Sequence, residues 1–573
     1  MAENKTCKQC GQEFVVSDDD LAFLEKISPV LNGRVYKIDA PKLCYTCRQI
    51  RRLCWRNERS LYKRKCDKTG EEIVSVYSPD KPYKVYKNSV WRSDDWDPMS
   101  FGREFDFNQS FFEQFNELLL AVPRQANNTT IVENSNFCNQ TWQTKDSYLC
   151  FNAGYAERCY YCTETFYTKD CIDCFDIRNC EYCYHCFDCD HCHNSMYLEH
   201  CENCSESYFS YDCRGCNNVL LCAGLHNKQY CIENKEYSEE EYKKKLKEID
   251  FGRRSVVEEY KKRSGEGMLK AIHKENNNVK TENCTGDYLI ECKDCKKCFN
   301  AYKSQNCVRI TNIDADSKDC RDLDYITEAE LCYDGTSNAG YKNRFSVWTA
   351  YGDSNLYCNF IDYCSNCFGC IGINHKQHCI LNKQYTKEEY DKLVPKIIER
   401  MQKDGEWGEF CPMKMSLFGY NETMANIYHP KTKAEAEKIG GKWQDKEYNP
   451  DYKGEAYEPK DSIDDYINSD EEVKKLLAGV LKCEKSGKPF KIMPQELAFY
   501  IRQRIPVPTK HSEVRYKELF KLRNPRVLYH RQCMCDLPGH DHSGHCPNEF
   551  ETTYAPERPE KVYCESCYQK EVI

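Results

Sequence analysis

Cysteine recurs at every third position through a long central stretch of this chain. Between Cys138 and Cys231 there are 17 cysteines, all separated by multiples of three residues. A helix repeats every 3.6 residues and a plain strand every two, so neither period fits this spacing. A chain of short strands joined by bends, with one small side chain turned inward at each step, does fit it. The spacing therefore predicts a repetitive, coiled β structure.

A longer period of 21 residues runs through the same stretch, from Cys138 to Cys159 and on to Cys180. We therefore predict a parallel β-solenoid over residues 138–236, with four to five turns of that length. A looser array of 12 cysteines, from Cys284 to Cys379, predicts a second solenoid. Slots of the first array that lack cysteine hold small or apolar residues: Thr144, Ala153, Thr165, Ser195, Ser207 and Val219.

Three roles compete for the cysteines of these arrays: core packing, metal or cluster binding, and redox chemistry. In extended chain, cysteines three positions apart lie about 10 Å from each other, too far to share one ion without a tight turn. The spacing also departs from the bacterial iron–sulfur run, since no proline follows the last cysteine. Free cysteine is compact and mostly buried, so packing is the favoured interpretation. A metal-handling or thiol-redox role, including an iron–sulfur cluster, is the alternative.

Composition indicates a globular chain without membrane or secretion features. Of the 573 residues 30% are charged, and the mean hydropathy is −0.81. No apolar run approaches the roughly 20 residues of a membrane helix. The first residues lack the apolar core of a signal peptide. We expect a cytoplasmic location, where the 42 cysteines stay reduced instead of forming disulfides.

Two C-x-x-C pairs near the N-terminus, Cys7 with Cys10 and Cys44 with Cys47, have the spacing of a zinc ribbon. Zinc prefers four soft ligands in a tetrahedron, and each pair places two thiolates on one turn. Gly11 follows the first pair, as suits a turn that needs a positive φ. The four cysteines therefore predict one structural zinc ion.

The C-terminus repeats the N-terminal segment. "CKQCGQEF" at 7–14 matches "CEKSGKPF" at 483–490, and "RNERSLYKRKC" at 56–66 matches "RNPRVLYHRQC" at 523–533. Each copy contains two small ribbons, and each has lost different ligands. We therefore expect one metal-binding and one metal-free ribbon at each end. The lost ligands are now Ser486, His511 and Val514 in the second copy and Lys87 and Val90 in the first.

The C-terminal ribbon offers more ligands than one ion needs. Cys564 and Cys567 form one pair, and "CPNEF" at Cys546 resembles "CGQEF" at Cys10. We therefore assign the second zinc to Cys564, Cys567 and Cys546, with Cys533 as the fourth ligand. Two Zn²⁺ ions are expected in all. The segment "CMCDLPGHDHSGHC" also contains Cys535, His540, His542 and His545, which we interpret as a solvated loop, with a second metal there as the alternative.

A basic tract follows the first ribbon. Residues 48–65 contain eight basic residues and one acid, although the whole chain has a net charge of −9. Arginines that neutralise phosphates beside rings that stack on bases predict a nucleic-acid surface. The alternative is a helix packed on its ribbon by ion pairs, which retained arginines in the second copy favour. The tentative nucleic-acid ligands are Arg48, Arg51, Arg52, Arg56 and Arg59.

The predicted fold class is mainly β, with zinc ribbons at both termini, two cysteine-lined parallel β-solenoids between them and short capping helices. We find no catalytic motif and no site for a small-molecule substrate. The predicted segments are a zinc ribbon with a basic tail (1–60), a metal-free ribbon and amphipathic helix (61–137), a first solenoid with a capping helix (138–265), a second (283–403), a helical connector (404–480), a metal-free ribbon (481–527) and a zinc ribbon (528–573).

The ribbon and ladder motifs together, from "CxxCG" through "VYSPDKPYKVY" to "NKQYCIENKEYS", resemble an uncharacterised cysteine-rich zinc-ribbon and β-solenoid protein family of candidate phyla radiation bacteria. The resemblance covers nearly the whole chain and implies the fold but no activity. The sequence therefore predicts a non-catalytic, zinc-binding scaffold that binds nucleic acid or a protein partner. The rival prediction is the metal-handling or thiol-redox protein described above.

Overall fold

The computed structural model describes residues 2–309, 311–314, 320–327, 329–448 and 452–572. The predicted second solenoid and helical connector each include a few positions outside these ranges. The chain divides into two compact units. Unit 1 comprises Met1–Asn127 and Asn278–Glu447, and unit 2 comprises Asn128–Asn277 and Tyr448–Ile573. Each unit therefore combines one cysteine array with the ribbons of one terminus.

The first array forms an eleven-stranded sheet whose strands follow one another in chain order. Thr141 pairs with Ala153, and Ala153 pairs with Thr165, in parallel and twelve residues apart. That separation is the length of one turn of this β-solenoid, which we call the first coil. The prediction of turns of 21 residues is therefore wrong. The strands of the first coil are Thr129–Glu133, Asn139–Lys145, Phe151–Glu157, Thr163–Lys169, Phe175–Arg178, Phe187–Asp190, Met196–Glu199, Tyr208–Tyr211, Asn217–Leu220, Gln229–Ile232 and the antiparallel Lys235–Glu236.

The short turn depends on a backbone corner at almost every third residue. Tyr182, His185, Asp188 and His191 have φ of 55°, 54°, 49° and 53°, and each directly precedes a buried cysteine. This left-handed region is uncommon for residues other than glycine, but Asn, Asp and His enter it more readily than most. Four triplets, each with one corner, therefore close one turn of the coil.

Inward side chains of the first coil satisfy backbone groups as well as fill space. The N–H of Cys192 donates to Sγ of Cys180, one turn earlier, at 3.4 Å. The N–H of Cys159 donates to Oγ of Ser147 at 3.1 Å. The thiol of Cys180 in turn donates to the carbonyl of Arg178 at 3.1 Å. A buried backbone N–H needs an acceptor, so small side chains with a sulfur or oxygen suit this interior.

The second array forms a parallel coil with a less regular register. Thr311 pairs with Asp324, thirteen residues on, and Thr336 pairs with Val347, eleven residues on. This second coil has the same interior bonding, since the N–H of Cys358 donates to Oγ of Ser346 at 3.0 Å. Its strands are Gly286–Ile290, Cys298–Tyr302, Thr311–Asp314, Asp324–Thr327, Ala329–Glu330, Thr336–Tyr341, Val347–Asp353 and Asn359–Asp362.

A hairpin and a capped helix follow each coil. Each helix begins with a capping box, in which Ser238 pairs with Glu241 and Thr386 pairs with Glu389. The predicted helix before the first array spans Phe111–Ala121 and packs in the core of unit 1. The helices of unit 1 are Asp18–Ile27, Tyr45–Leu53, Asn88–Trp91, Phe111–Ala121, Lys387–Asp404, Met424–Tyr428 and Lys433–Lys438, and those of unit 2 are Glu239–Lys247, Arg254–Lys270, Asp464–Ile467, Asp470–Ala478, Pro494–Gln503, Ser512–Phe520 and Glu565–Val572.

Four small ribbons share one plan, a two-stranded antiparallel hairpin followed by a helix. Gly11, Gly70 and Gly487 each lie four residues after a cysteine, with φ of 76°, 76° and 70°. The turn thus persists in the copies that lack a full ligand set. The hairpins are Glu3–Thr6 with Glu13–Val16, Tyr62–Lys65 with Glu72–Ser75, Leu481–Lys482 with Pro489–Phe490, and Tyr529–Gln532 with Glu549–Thr552.

Helix and strand account for 25% and 28% of the chain. The large parallel sheet and the cysteine clusters at both termini agree with the predicted class. A mainly-β description holds only loosely, because the ribbons and the segments after each coil add much helix.

Candidate metal centres

The N-terminal ribbon brings Cys7, Cys10, Cys44 and Cys47 together. Their sulfurs all lie within 4.8 Å of one another, and Sγ of Cys10 is 3.7 Å from Sγ of Cys44. Four sulfurs around a tetrahedral ion at about 2.3 Å would be separated by about 3.8 Å. One pair sits on the hairpin turn and the other opens the helix Tyr45–Leu53. This group could hold a metal ion.

The C-terminal ribbon brings Cys533, Cys546, Cys564 and Cys567 together in the same way. Sγ of Cys546 lies 4.0 Å from that of Cys564 and 3.7 Å from that of Cys567. All four side chains are buried. The eight cysteines named from the sequence thus form two groups with the spacing that one ion each requires.

One sulfur in each group favours the thiolate form. An S–H bond from Cys47 is the main reason why the pKa of Cys44 is lowered to about 5. Burial raises the pKa of Cys564, but bonds from Ser566 and Asn548 outweigh it, so the pKa falls to about 6. The thiolate is the form that binds metal, so each group presents one sulfur in that form near neutral pH.

A third group contains Cys535, His540, His542 and Cys567, again with ligand atoms within 4.8 Å of one another. It shares Cys567 with the second group. The side chain of His540 is only 4% exposed, so the interpretation of this segment as a solvated loop is wrong for that residue. His545 is exposed and lies outside the group.

The incomplete ribbons lack a full set of metal ligands, but they retain backbone hydrogen bonds that are typical of the complete ribbons. The N–H of Lys87 donates to Sγ of Cys66 at 3.3 Å. The N–H of Cys564 donates to Sγ of Cys533 at 3.2 Å, which is the equivalent contact in the complete ribbon. Neither Cys66 nor Cys483 belongs to a metal-binding group among the described residues.

The first arginines of the basic tract are buried, which argues against their tentative assignment to a nucleic-acid surface, whereas Lys63 and Lys65 at its end are exposed. Arg48, Arg51, Arg52 and Arg56 are 2%, 7%, 0% and 6% exposed. Three of them lie on the helix Tyr45–Leu53. Arg56 forms an ion pair with Glu58, and Arg59 is partly exposed.

Aspartates of the second coil form ion pairs with these arginines. Nε of Arg48 lies 2.9 Å from Asp322, and Nε of Arg52 lies 3.1 Å from Asp324. Nη1 of Arg52 is also 2.6 Å from Asp334, which pairs with Arg51 as well. Burial raises the pKa of Asp334, but the neighbouring arginines more than offset this and lower it. We call this set the clamp of unit 1.

Unit 2 contains a corresponding clamp. Arg515, the counterpart of Arg48, pairs with Asp173. Arg523 lies 3.0 Å from Glu164 and 2.7 Å from Asp176. All three carboxylates occupy left-handed corners of the first coil, as Asp322 and Asp334 do in the second.

The array cysteines that the structure describes are nearly all buried in the two coils. The cysteines of the first coil are at most 3% exposed, and the described cysteines form no disulfide. Among described residues, no array cysteine belongs to a metal-binding group. Burial raises the pKa of Cys222 and of Cys332 to about 12, whereas hydrogen bonds from neighbouring cysteines outweigh burial and lower the pKa of Cys162. These properties agree with the packing interpretation.

Comparison with known proteins finds no matching family model and no matching curated protein. Among the described residues, no helix has both the length and the apolar character needed to cross a membrane.

Proposed function

We propose that the protein is a non-catalytic scaffold in which zinc-bound ribbons hold cysteine-packed β-solenoids. One observation carries this proposal: the helix Tyr45–Leu53 joins a four-cysteine group to the clamp. Cys44 and Cys47 stand at its start, and Arg48, Arg51 and Arg52 follow at once. An ion held by the cysteines would fix the start of the helix and therefore aim the arginines at the coil.

Zinc is the ion that suits the four-cysteine groups best. Tetrahedral sets of four thiolates are typical of structural zinc, which leaves no coordination position open for a substrate. A ribbon of this size has little core of its own, so metal binding supplies much of its folding free energy. Each terminal ribbon would hold one Zn²⁺ in this way.

The partner that we propose for the scaffold is a protein. The tract that favoured nucleic acid has its arginines engaged by carboxylates, so it offers few cations to phosphate. We prefer the scaffold to the thiol-redox alternative, because the sulfurs of the first array are buried and lie in no metal-binding group among the described residues. No small-molecule substrate is part of the proposal.

The test is metal analysis of the full chain purified without oxygen. Cys44→Ser should lose one zinc equivalent and speed hydrogen exchange in the second coil around Asp322 and Asp334. The matched control Cys66→Ser should keep its zinc, because Cys66 belongs to no group. Unchanged zinc in Cys44→Ser would overturn the proposal, as would iron with visible absorbance in the wild type.

Binding assays test the choice of partner class. We expect no RNA or DNA binding that weakens steeply as salt increases, since the arginines that would release counterions are buried. A steep salt dependence would move the proposal to nucleic acid.

A further inference from the structure

We propose that the C-terminal ribbon binds two metal ions that share the thiolate of Cys567. One ion would be held by Cys533, Cys546, Cys564 and Cys567, which is part of the function proposed above. The second would be held by Cys535, His540, His542 and Cys567. The two ligand sets are those whose atoms lie within 4.8 Å of one another.

The distances of the second set match a small tetrahedral ion. Sγ of Cys535 lies 3.4 Å from Nδ1 of His540, and Sγ of Cys567 lies 3.5 Å from Nε2 of His542. Sulfur at about 2.3 Å and nitrogen at about 2.0 Å from a tetrahedral zinc would be about 3.5 Å apart. The set therefore suits Zn²⁺ with two sulfur and two nitrogen ligands.

In both histidines the ring nitrogen that faces away from the sulfurs has a hydrogen-bond partner, as metal-binding histidines usually do. Nε2 of His540 lies 3.0 Å from the carboxylate of Glu571. Nδ1 of His542 lies 2.8 Å from the carbonyl oxygen of Gly544, to which it must donate. These bonds place the proton on the outer nitrogen of each ring and leave the lone pair of the inner nitrogen facing the sulfurs. Such outer partners set the tautomer and orientation of metal-binding histidines.

Cys567 is placed to bridge the two ions. Its sulfur contacts Cys546 of one set at 3.7 Å and His542 of the other at 3.5 Å. A thiolate has lone pairs enough for two metal bonds. Five thiolates around two divalent ions also leave less net negative charge than four thiolates around one ion, which favours the pair in a buried site.

The extra ligands lie in a segment that the first copy lacks. Hairpin strands Tyr62–Lys65 and Glu72–Ser75 are joined by a short turn, whereas Tyr529–Gln532 and Glu549–Thr552 are joined by a much longer segment. That segment contains no helix or strand, yet it buries Cys535 completely. A bound ion would supply the order that its sequence of glycines, aspartates and histidines does not.

Metal counting on the full chain tests this inference. Zinc-loaded wild type should contain three equivalents, one for each group, and His542→Ala should contain two. The matched control His545→Ala should keep three, because His545 lies outside the group. After cadmium replacement, cadmium NMR should show three signals, two of them coupled through the shared sulfur.

Two zinc equivalents in the wild type, or no loss in His542→Ala, would overturn the second ion. Three uncoupled cadmium signals would overturn the bridge. The result is separable from the proposed function, because Cys44→Ser removes the N-terminal ion whether or not the C-terminal ribbon binds a second one. His542→Ala retains all four ligands of the sulfur site, so its ribbon should stay folded by far-ultraviolet circular dichroism.

Discussion

The two units use the same parts but attach ribbon to coil differently. In unit 1 the helix after the cysteine pair brings three arginines to buried aspartates. In unit 2 the equivalent helix, Ser512–Phe520, is preceded by His511 in place of Cys44, and it retains only Arg515 of that set. Glu518 and Leu519 replace Arg51 and Arg52. Aromatic side chains form part of the contact between this helix and the first coil.

Aromatic packing accompanies the loss of charge in unit 2. Phe175 of the first coil lies 5.8 Å from Tyr516 and 5.7 Å from Phe520, measured between ring centroids. Arg523 lies over the same Phe175 ring, 4.4 Å from its centroid. Apolar contact tolerates small shifts, whereas buried ion pairs need fixed geometry. The difference teaches that the helix that begins at a complete four-cysteine group is also the one with the more exacting clamp.

The largest effect should come from breaking the clamp of unit 1. Arg52→Met leaves Asp324 and Asp334 with less compensation in a buried site, and we expect a loss of about 3–5 kcal/mol in unfolding free energy. Arg523→Met in unit 2 should cost less, because Phe175 keeps its ring neighbours. Hydrogen exchange in each coil of the full chain would measure both.

Arg34→Met is the matched control for this comparison. Arg34 pairs with Glu399 on the surface, where both side chains are well exposed, and its loss should cost less than about 1 kcal/mol. Equal costs for Arg52→Met and Arg34→Met would show that the clamp contributes no more than a surface pair.

A smaller effect should be the same in both units, because both coils satisfy inward N–H groups with side chains. Cys180→Val removes the acceptor of the Cys192 N–H and should cost about 1–3 kcal/mol, as should Ser346→Val at the Cys358 N–H. Cys180→Ser keeps an acceptor and should cost less than about 1 kcal/mol. Chemical denaturation monitored by hydrogen exchange would rank them. A Ser variant as unstable as the Val variant would refute the hydrogen-bond role of the ladder.

The smallest expected effect is a difference between the two clamps in how the stability of their units depends on pH. Burial, only partly offset by Arg515, raises the pKa of Asp173 to about 7, whereas the pKa of Asp334 is lowered. Folded Asp173 therefore takes up a proton between pH 8 and 6 that the unfolded chain does not. The contribution of Asp173 to the stability of unit 2 should therefore increase by about 1 kcal/mol as the pH falls from 8 to 6, and Asp334 should contribute nothing to unit 1 over that interval.

Asp173→Asn provides the comparison for the pH prediction, because it removes the titration but keeps the shape. The difference between wild-type and variant slopes isolates Asp173 from other groups of unit 2. Identical slopes would show that Asp173 is ionised throughout. Hydrogen exchange of the first coil at both pH values would supply the slopes.

The metal groups could be predicted from sequence because their ligands carry local signals. The pairs at Cys7 and Cys44 have knuckle spacing, and the duplication located Cys546 by its neighbours. The second ligand set was visible only as an ambiguous run, since sequence does not show that Glu571 and Gly544 would orient the histidines. Proximity of His542 to Cys567 is a property of the folded loop.

The sequence predicted a parallel β-solenoid correctly, but it did not predict the number of residues in each turn. The triplet spacing gave the inward positions correctly, including Thr144 and Val219, which are buried. The longer cysteine repeat spans seven triplets and has no structural turn of its own. A better signal was the residue before each cysteine, where Asp188 and His191 mark left-handed corners. The retained arginines favoured ion pairs, but their carboxylate partners had no local signal, because Arg48 and Asp322 are 274 residues apart.

A turn of fixed length limits how such a protein can change over evolutionary time. Removing or inserting one whole turn of the first coil keeps every interior position and every corner in phase, whereas a change of any other length shifts the columns of side chains. Lengthening by whole turns preserves the pairing of the sheet, but it displaces residues that pack on the coil, such as Asp212 with its partner Tyr568. It is costly between Glu164 and Asp176, because Arg523 spans these neighbouring corners. Related coils should therefore differ in length by multiples of one turn, and the differences should avoid the turns that carry the arginine-binding carboxylates.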